Sequence, residues 1–319
     1  MSKDFHSSLA RELEQFVTHM HALGYSYHRA AATLKSFDRY VLTHAGRQRT
    51  LPLASLLRGW LSRRGARKPV TVAMDLGTLR QFFRYRCRFD PDGFIPGREW
   101  APQAAKSDFV PHVFSLNQIR ALLDEAGRLR CNCRARAVMR ALILILYCTG
   151  LRFGEAIRLE IQDVDLHRHL FHIRESKGKT RWVPFRADLA RELRKYRKQR
   201  DQIAAIAPCA AFLVRPDGSA FSVKGASGII RGMLRRLGLK PRRGRTGPRP
   251  YDLRHTYAVH RLISWHRAGV DVHAKFPWLS AYLGHDNILG TEVYLHATTE
   301  LLQLASSRFH SRLHRTETP

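Results

Sequence analysis

Between Pro91 and Phe114 the sequence reads PDGFIPGREWAPQAAKSDFVPHVF, with four prolines and two glycines in 24 residues. Proline fixes φ and removes a backbone donor, and glycine adds freedom, so no helix or strand period survives the stretch. A chain of 319 residues broken at that point is expected to fold as two bodies. The expected division is a helical domain over 1–100, a linker over 101–113 and a larger domain over 114–319, the last part of which, 299–319, forms a tail.

Upstream of the break only helical periods occur. Leu9, Leu13, Phe16, Val17, Met20 and Leu23 share one face, and Gly24 ends the run. Ala30, Leu34, Phe37, Tyr40 and Val41 form a second face, and Val72, Leu76, Leu79, Phe82 and Phe83 a third. A small all-helical bundle is the expectation. Downstream, Ser115 and Gln118 stand at the reciprocal positions of a capping box. RARAVMRALILILYCTG is a mostly apolar helix ending at Gly150, expected at the centre of its domain. LRFGEAIRLEIQDVDL follows as a short helix and turn. HLFHIRES and RWVPF read as strands joined by the hairpin loop KGKT, and AFLVRP as a third strand. Residues 222–308 read as broken helix. The fold class is therefore mainly α with a small antiparallel β-sheet.

Lysine and arginine number 55 against 26 acidic residues, a formal charge of +29 spread along the chain. A surface of this kind repels itself unless a polyanion neutralises it, which makes nucleic acid the expected partner. No basic amphipathic helix with a large aromatic face favours a membrane instead. The longest apolar run, ALILILYC, is too short to span a bilayer. The N-terminus lacks the apolar core of a signal peptide. Five scattered cysteines argue against a disulfide framework and for a reducing compartment; Cys131 and Cys133 read as free thiols. Asp163, Asp165, Asp252, Asp271 and Asp286 have no two-metal spacing, and His255, His260, His266 and His273 close no zinc ligand set, so no cofactor is expected.

Four short signals carry chemistry. TGLRFGE places Arg152 and Glu155 at i and i+3; SKGKTR places Lys177 on the hairpin; YDLRHTYA places Tyr251 and Arg254 at i and i+3; and YLGH sets His285 nine residues before Tyr294. Each alone has an ordinary explanation: an exposed ion pair, a soluble hairpin tip, a core aromatic. Their order and spacing together resemble the tyrosine recombinase, or phage integrase, family over about 114–308. The N-terminal helices resemble that family's core-binding domain in size and class only.

The resemblance implies a site-specific DNA recombinase that cleaves and rejoins duplex DNA through a covalent 3′-phosphotyrosyl intermediate, without metal or ATP. A phosphodiester is an anion that resists attack, so its non-bridging oxygens need neutralising and its leaving oxygen a proton. Guanidinium remains charged and presents a planar fork to phosphate, the task expected of Arg152 and Arg254. Tyr294 is the expected nucleophile; a free phenol titrates near ~10, so it needs cationic neighbours or a base. The family pattern implies that Lys177 protonates the leaving 5′ oxygen, with Lys179 as the alternative. His285 can donate to phosphate, and Glu155 orients rather than reacts.

One position departs from the family. Tyr251 stands where H-x-x-R would place a histidine, and a phenol can hydrogen-bond phosphate but cannot carry positive charge. That departure supports the alternative of a catalytically weak DNA-binding accessory subunit; a type IB topoisomerase-like enzyme is the other. Lys240, Arg242, Arg243 and Arg245 in KPRRGRTGPRP are expected to contact the DNA backbone. The expected partners are double-stranded DNA and further subunits, as a tetramer or with related recombinases, within the bacterial cytoplasm at the nucleoid.

Overall fold

The structure is a computed structural model that describes residues 4–44, 52–63, 67–103, 111–129, 133–176, 179–204, 209–244, 246–285, 287, 289–292, 294, 303 and 306. The chain divides into two compact units, Met1–Phe109 and Val110–Pro319.

The first unit is helical: α1 (Ala10–Ala22), α2 (His28–His44), α3 (Leu53–Ser62) and α4 (Pro69–Arg86). Leu13, Phe16, Leu34, Phe37, Leu57, Trp60, Leu79, Phe82 and Phe83 meet in one core. Helix α3 was not anticipated, although Leu53, Leu56, Leu57 and Trp60 have helical spacing. Trp60 fills the centre and donates from Nε1 to the Ser36 carbonyl at 3.2 Å. The buried Asp38 carboxylate accepts from the backbone amides of His6 (2.8 Å) and Ser7 (3.0 Å), which ties the N-terminal turn to α2.

The second unit is built around α6 (Cys133–Thr149), which packs against α5 (Leu116–Gly127), α8 (Ala187–Ala204) and α10 (Asp252–Arg267). Val138, Leu142, Ile143, Ile145 and Leu146 are buried on several sides of α6, as its apolar run requires. The Ser115–Gln118 capping box starts α5 with both reciprocal bonds in place. The remaining helices are α7 (Phe153–Arg158), α9 (Val223–Arg236), α11 (Val272–Leu283) and α12 (Leu289–Glu292).

The sheet is antiparallel in the order β1 (Val164–Asp165), β2 (Leu170–Ser176), β3 (Lys179–Pro184). Phe171 pairs with Val183 and Ile173 with Arg181, which sets Phe171, Ile173 and Val183 on the buried face. The third strand is thus Val164–Asp165 and not the expected 211–216. Phe212, Leu213 and Val214 are buried, but their segment makes only isolated bridges. Its polar backbone is met another way. The Phe212 amide donates to the Leu159 carbonyl (2.7 Å), the Val214 amide to the Tyr196 hydroxyl (3.1 Å), and Arg200 donates to the Ala211 carbonyl. Side chains of α8 stand where a neighbouring strand would otherwise be. Among the described residues no helix is long and apolar enough to cross a membrane.

Candidate active site

Two glycines end two helices and turn the chain into the site. Gly150 closes α6 at φ +63°, and Gly284 closes α11 at φ +72°, both in the left-handed region. A Cβ on Gly150 would lie 2.5 Å from Tyr257 Cδ1, and one on Gly284 would lie 2.7 Å from Arg181 Cζ. Neither position accepts a side chain, for conformational and for steric reasons. Both also supply carbonyl oxygens to the arginines. Arg254 donates from Nη1 to Gly150 O at 2.8 Å, and Arg152 donates from Nη2 to Gly284 O.

Arg254 lies in the first turn of α10 and is 1% exposed. Its Nη2 donates to Leu283 O (2.7 Å) and meets His285 Nε2 (2.9 Å). A guanidinium only donates, so His285 Nε2 is the acceptor and its proton sits on Nδ1, facing Thr291 Oγ1 at 2.6 Å. His285 therefore props Arg254, and both of its ring nitrogens are engaged. Among the described residues Arg254 Nε has no hydrogen-bond partner. Burial pulls the Arg254 pKa down, opposed by the nearby phenols of Tyr294 and Tyr251.

Tyr294 follows α12, with its amide bonded to Thr291 O at 3.0 Å. It is 1% exposed and stacks on His285 at 6.1 Å between ring centroids. Burial raises its pKa, while the charge of Arg254 and its polar contact with the phenol, and the charge of Arg152, pull the other way. The hydroxyl is thus out of water, and the positive charges of Arg254 and Arg152 act on it. Tyr251, immediately before α10, is partly exposed and reaches the same cluster.

Glu155 is buried and fully used. Its Oε1 accepts from Arg152 Nη1 (2.8 Å) and Arg181 Nη1 (3.1 Å); its Oε2 accepts from the Arg152 amide (2.8 Å) and Arg181 Nη2 (2.9 Å). Arg181 also donates from Nε to Tyr282 O at 3.1 Å. The carboxylate is thereby turned away from ligand chemistry and toward holding two arginines. Sequence reasoning missed Arg181. A signal existed: it sits two residues before Val183, at an inward position of β3, where a charge is out of pattern.

Arg152, Glu155, Tyr251, Arg254, His285 and Tyr294 are brought together. Lys177 lies outside the described residues, as do Arg245 and Asp286; of Lys179 the backbone in β3 is described. Arg242 and Arg243 are exposed. Lys240 differs from the expectation of a backbone-contacting residue. It is buried, and its Nζ donates to the carbonyls of Thr246 and Gly247. Burial lowers its pKa. Among the described residues no cluster of His, Cys, Asp and Glu could hold a metal ion.

The family model of the phage integrase family matches residues 112–300. A putative integrase/recombinase, y4rE, of Sinorhizobium fredii is 32% identical over 307 residues, covering 94% of this chain and 95% of the relative. Tyrosine recombinase XerC of Staphylococcus saprophyticus is 25% identical over 250 residues, 77% of each chain. Among solved structures, XerH site-specific recombinase bound to a palindromic difH substrate, in a post-cleavage complex, aligns with TM-score 0.65 at 20% identity, over 88% of this chain and 79% of that one.

Proposed function

The chain belongs to the phage integrase family, and we propose that Tyr294 is the nucleophile with which it cuts and rejoins duplex DNA at specific sites. The enzyme is a tyrosine-type recombinase. The observation that carries the assignment of residues is the stacking of the Tyr294 ring on His285, whose Nε2 meets the buried Arg254 at 2.9 Å, with the charges of Arg254 and Arg152 acting on the phenol.

In the forward step Tyr294 loses its hydroxyl proton to a base, and its oxygen bonds to phosphorus as the bond from phosphorus to the 5′ oxygen breaks. Arg152 and Arg254 hold the non-bridging oxygens, where charge builds in the transition state. Glu155 and Arg181 keep Arg152 in register. The 5′ oxygen leaves with a proton from Lys177, or from Lys179 of the same hairpin. The phosphotyrosyl bond retains the energy of the broken diester, so a second 5′ hydroxyl can reverse the step on a new partner without nucleotide hydrolysis.

Tyr294 is 1% exposed. Engagement of DNA therefore includes movement of the α12 segment that brings the hydroxyl to the phosphate. Arg242 and Arg243 supply phosphate contacts that fix position without reading sequence. The enzyme acts as a homo-oligomer, or with related subunits, on DNA in the bacterial cytoplasm.

A duplex nicked near the cleavage point traps the intermediate, because the short 5′ product diffuses away. Wild type is expected to give a DNA adduct that survives denaturation, and Tyr294→Phe none. Equal adduct in both would refute the assignment.

A further inference from the structure

His255 is a buried imidazole that the steps above do not use. It follows Arg254 in the first turn of α10 and is 8% exposed. Its ring lies between two phenols, edge-on to Tyr251 at 5.0 Å and to Tyr294 at 5.3 Å between centroids. Nε2 is 3.9 Å from Asp252 Oδ1. Asp252 is itself held in place, its Oδ2 by the Arg249 amide at 2.8 Å and its Oδ1 by Arg249 Nη2 at 3.1 Å. The other ring nitrogen, Nδ1, is buried and has no hydrogen-bond partner among the described residues. Buried polar atoms are rarely left so, and at a reactive centre the vacancy calls for a role.

The neighbours sharpen the choice. His285 also packs on Tyr294, but its Nε2 accepts from Arg254 and its Nδ1 faces Thr291. Protonating Nε2 would set two cations against each other. Tyr251 is a phenol and cannot hold a proton as a cation does. Among the described residues in ring contact with Tyr294, His255 alone combines an imidazole with an unpartnered nitrogen.

We propose that His255 is the general base of strand cleavage, taking the Tyr294 proton on its free ring nitrogen while Asp252 stabilises the imidazolium. The Tyr294 O–H bond breaks and its proton passes to His255. The phenolate oxygen bonds to phosphorus, and the 5′ oxygen departs with the proton of the hairpin lysine. On rejoining, an incoming 5′ hydroxyl gives its proton to the now neutral hairpin lysine and attacks phosphorus, the bond from phosphorus to the Tyr294 oxygen breaks, and the departing phenolate recovers its proton from His255. The inference rests on the assignment of Tyr294 as nucleophile.

Burial depresses the His255 pKa to about 4, opposed by Asp252 and assisted by Arg249 and Arg254. The imidazole is therefore neutral at neutral pH, with its electron pair unprotonated. A bound DNA phosphate adds negative charge beside it and raises its basicity. The groups that face it are Asp252, Arg249, Arg254, Tyr251 and Tyr294.

The test is single-turnover cleavage of the nicked duplex across pH 4.5–8 by wild type, His255→Gln, His255→Ala and Tyr294→Phe. Wild-type cleavage should fall on the acid side. His255→Gln should be slower by about 10²- to 10⁴-fold at pH 7.5 with that acid limb lost, and DNA affinity should be unchanged. Added imidazole should restore part of the His255→Ala rate, which a merely structural role would not permit. Rates within about threefold of wild type with the same pH profile would overturn the proposal. If both variants fail to fold, a wild-type rate that stays flat over the pH range in which circular dichroism shows the fold intact overturns it, and one that falls within that range supports it. An adduct that persists in Tyr294→Phe would instead refute the nucleophile assignment, leaving the two failures distinguishable.

Discussion

Replacing Arg181 with methionine keeps an unbranched stem and removes the guanidinium and its charge. In the structure this removes from the Glu155 carboxylate two bonds at 3.1 and 2.9 Å, with its bonds to Arg152 still in place, and leaves Tyr282 O without the Nε donor at 3.1 Å. The side chains of Arg181 and Glu155 are 13% and 1% exposed, so solvent screens the pair little. Stranding one member of a buried ion pair costs about 3–5 kcal/mol; with Arg152 still in place about half of that, about 2 kcal/mol, is expected. For a unit the size of Val110–Pro319, each kcal/mol moves Tm by about 2–4 °C, so Tm should fall by about 4–8 °C. Calorimetry on the whole chain, following the transition of that unit, measures the shift. A double-mutant cycle with Glu155→Gln should return a coupling of about 2 kcal/mol. Cleavage should slow by about a hundredfold, because a guanidinium displaced by about 1 Å no longer meets the phosphate squarely. An unchanged Tm together with additive single and double variants would refute the reasoning.

Gly150→Ala should lower Tm and abolish cleavage together, since φ +63° and the 2.5 Å approach to Tyr257 strain the turn that presents Gly150 O to Arg254; the strain is about 1–3 kcal/mol. The stability of the second unit should fall with pH below about 6.5, the unfolded imidazole value. The reason is that His255 resists protonation in the folded state down to about 4. The contribution is fully present above the unfolded pKa and lost as pH falls through the folded one, at most about 3 kcal/mol. Urea melts of wild type and His255→Gln between pH 4 and 7 check it, and equal slopes would count against it. Arg242→Ala should weaken DNA binding across sequences and reduce the slope of log affinity against log salt by about 1. Lys240→Met should instead lower Tm with a smaller change in that slope, because its ammonium is spent on the Thr246 and Gly247 carbonyls.

Much of the site was legible because its parts are local. Arg152 and Glu155 are one helical turn apart, and so are Tyr251 and Arg254; short motifs of this kind carry their geometry with them. The helices with clean apolar faces, such as α1 and α4, were legible for the same reason. What was not legible depends on distant partners. Arg181 meets Glu155 from 26 residues away and Tyr282 from 101. The segment 211–214 has the apolar composition of a strand, but whether such a run joins a sheet depends on what meets its backbone. Here α8 does so through Tyr196 and Arg200. Lys240 shows the converse: in a run of basic residues nothing local distinguishes the one that folds inward from those that stay in water.

The central claim is that the Tyr294 oxygen becomes bonded to a 3′ phosphate. Trapping the adduct on a nicked duplex, digesting both components and sequencing the remaining peptide–nucleotide by mass spectrometry tests this directly. The account predicts a single modified peptide, with the nucleotide on Tyr294 and linked through its 3′ phosphate. Modification at any other side chain, or linkage through a 5′ phosphate, would contradict it.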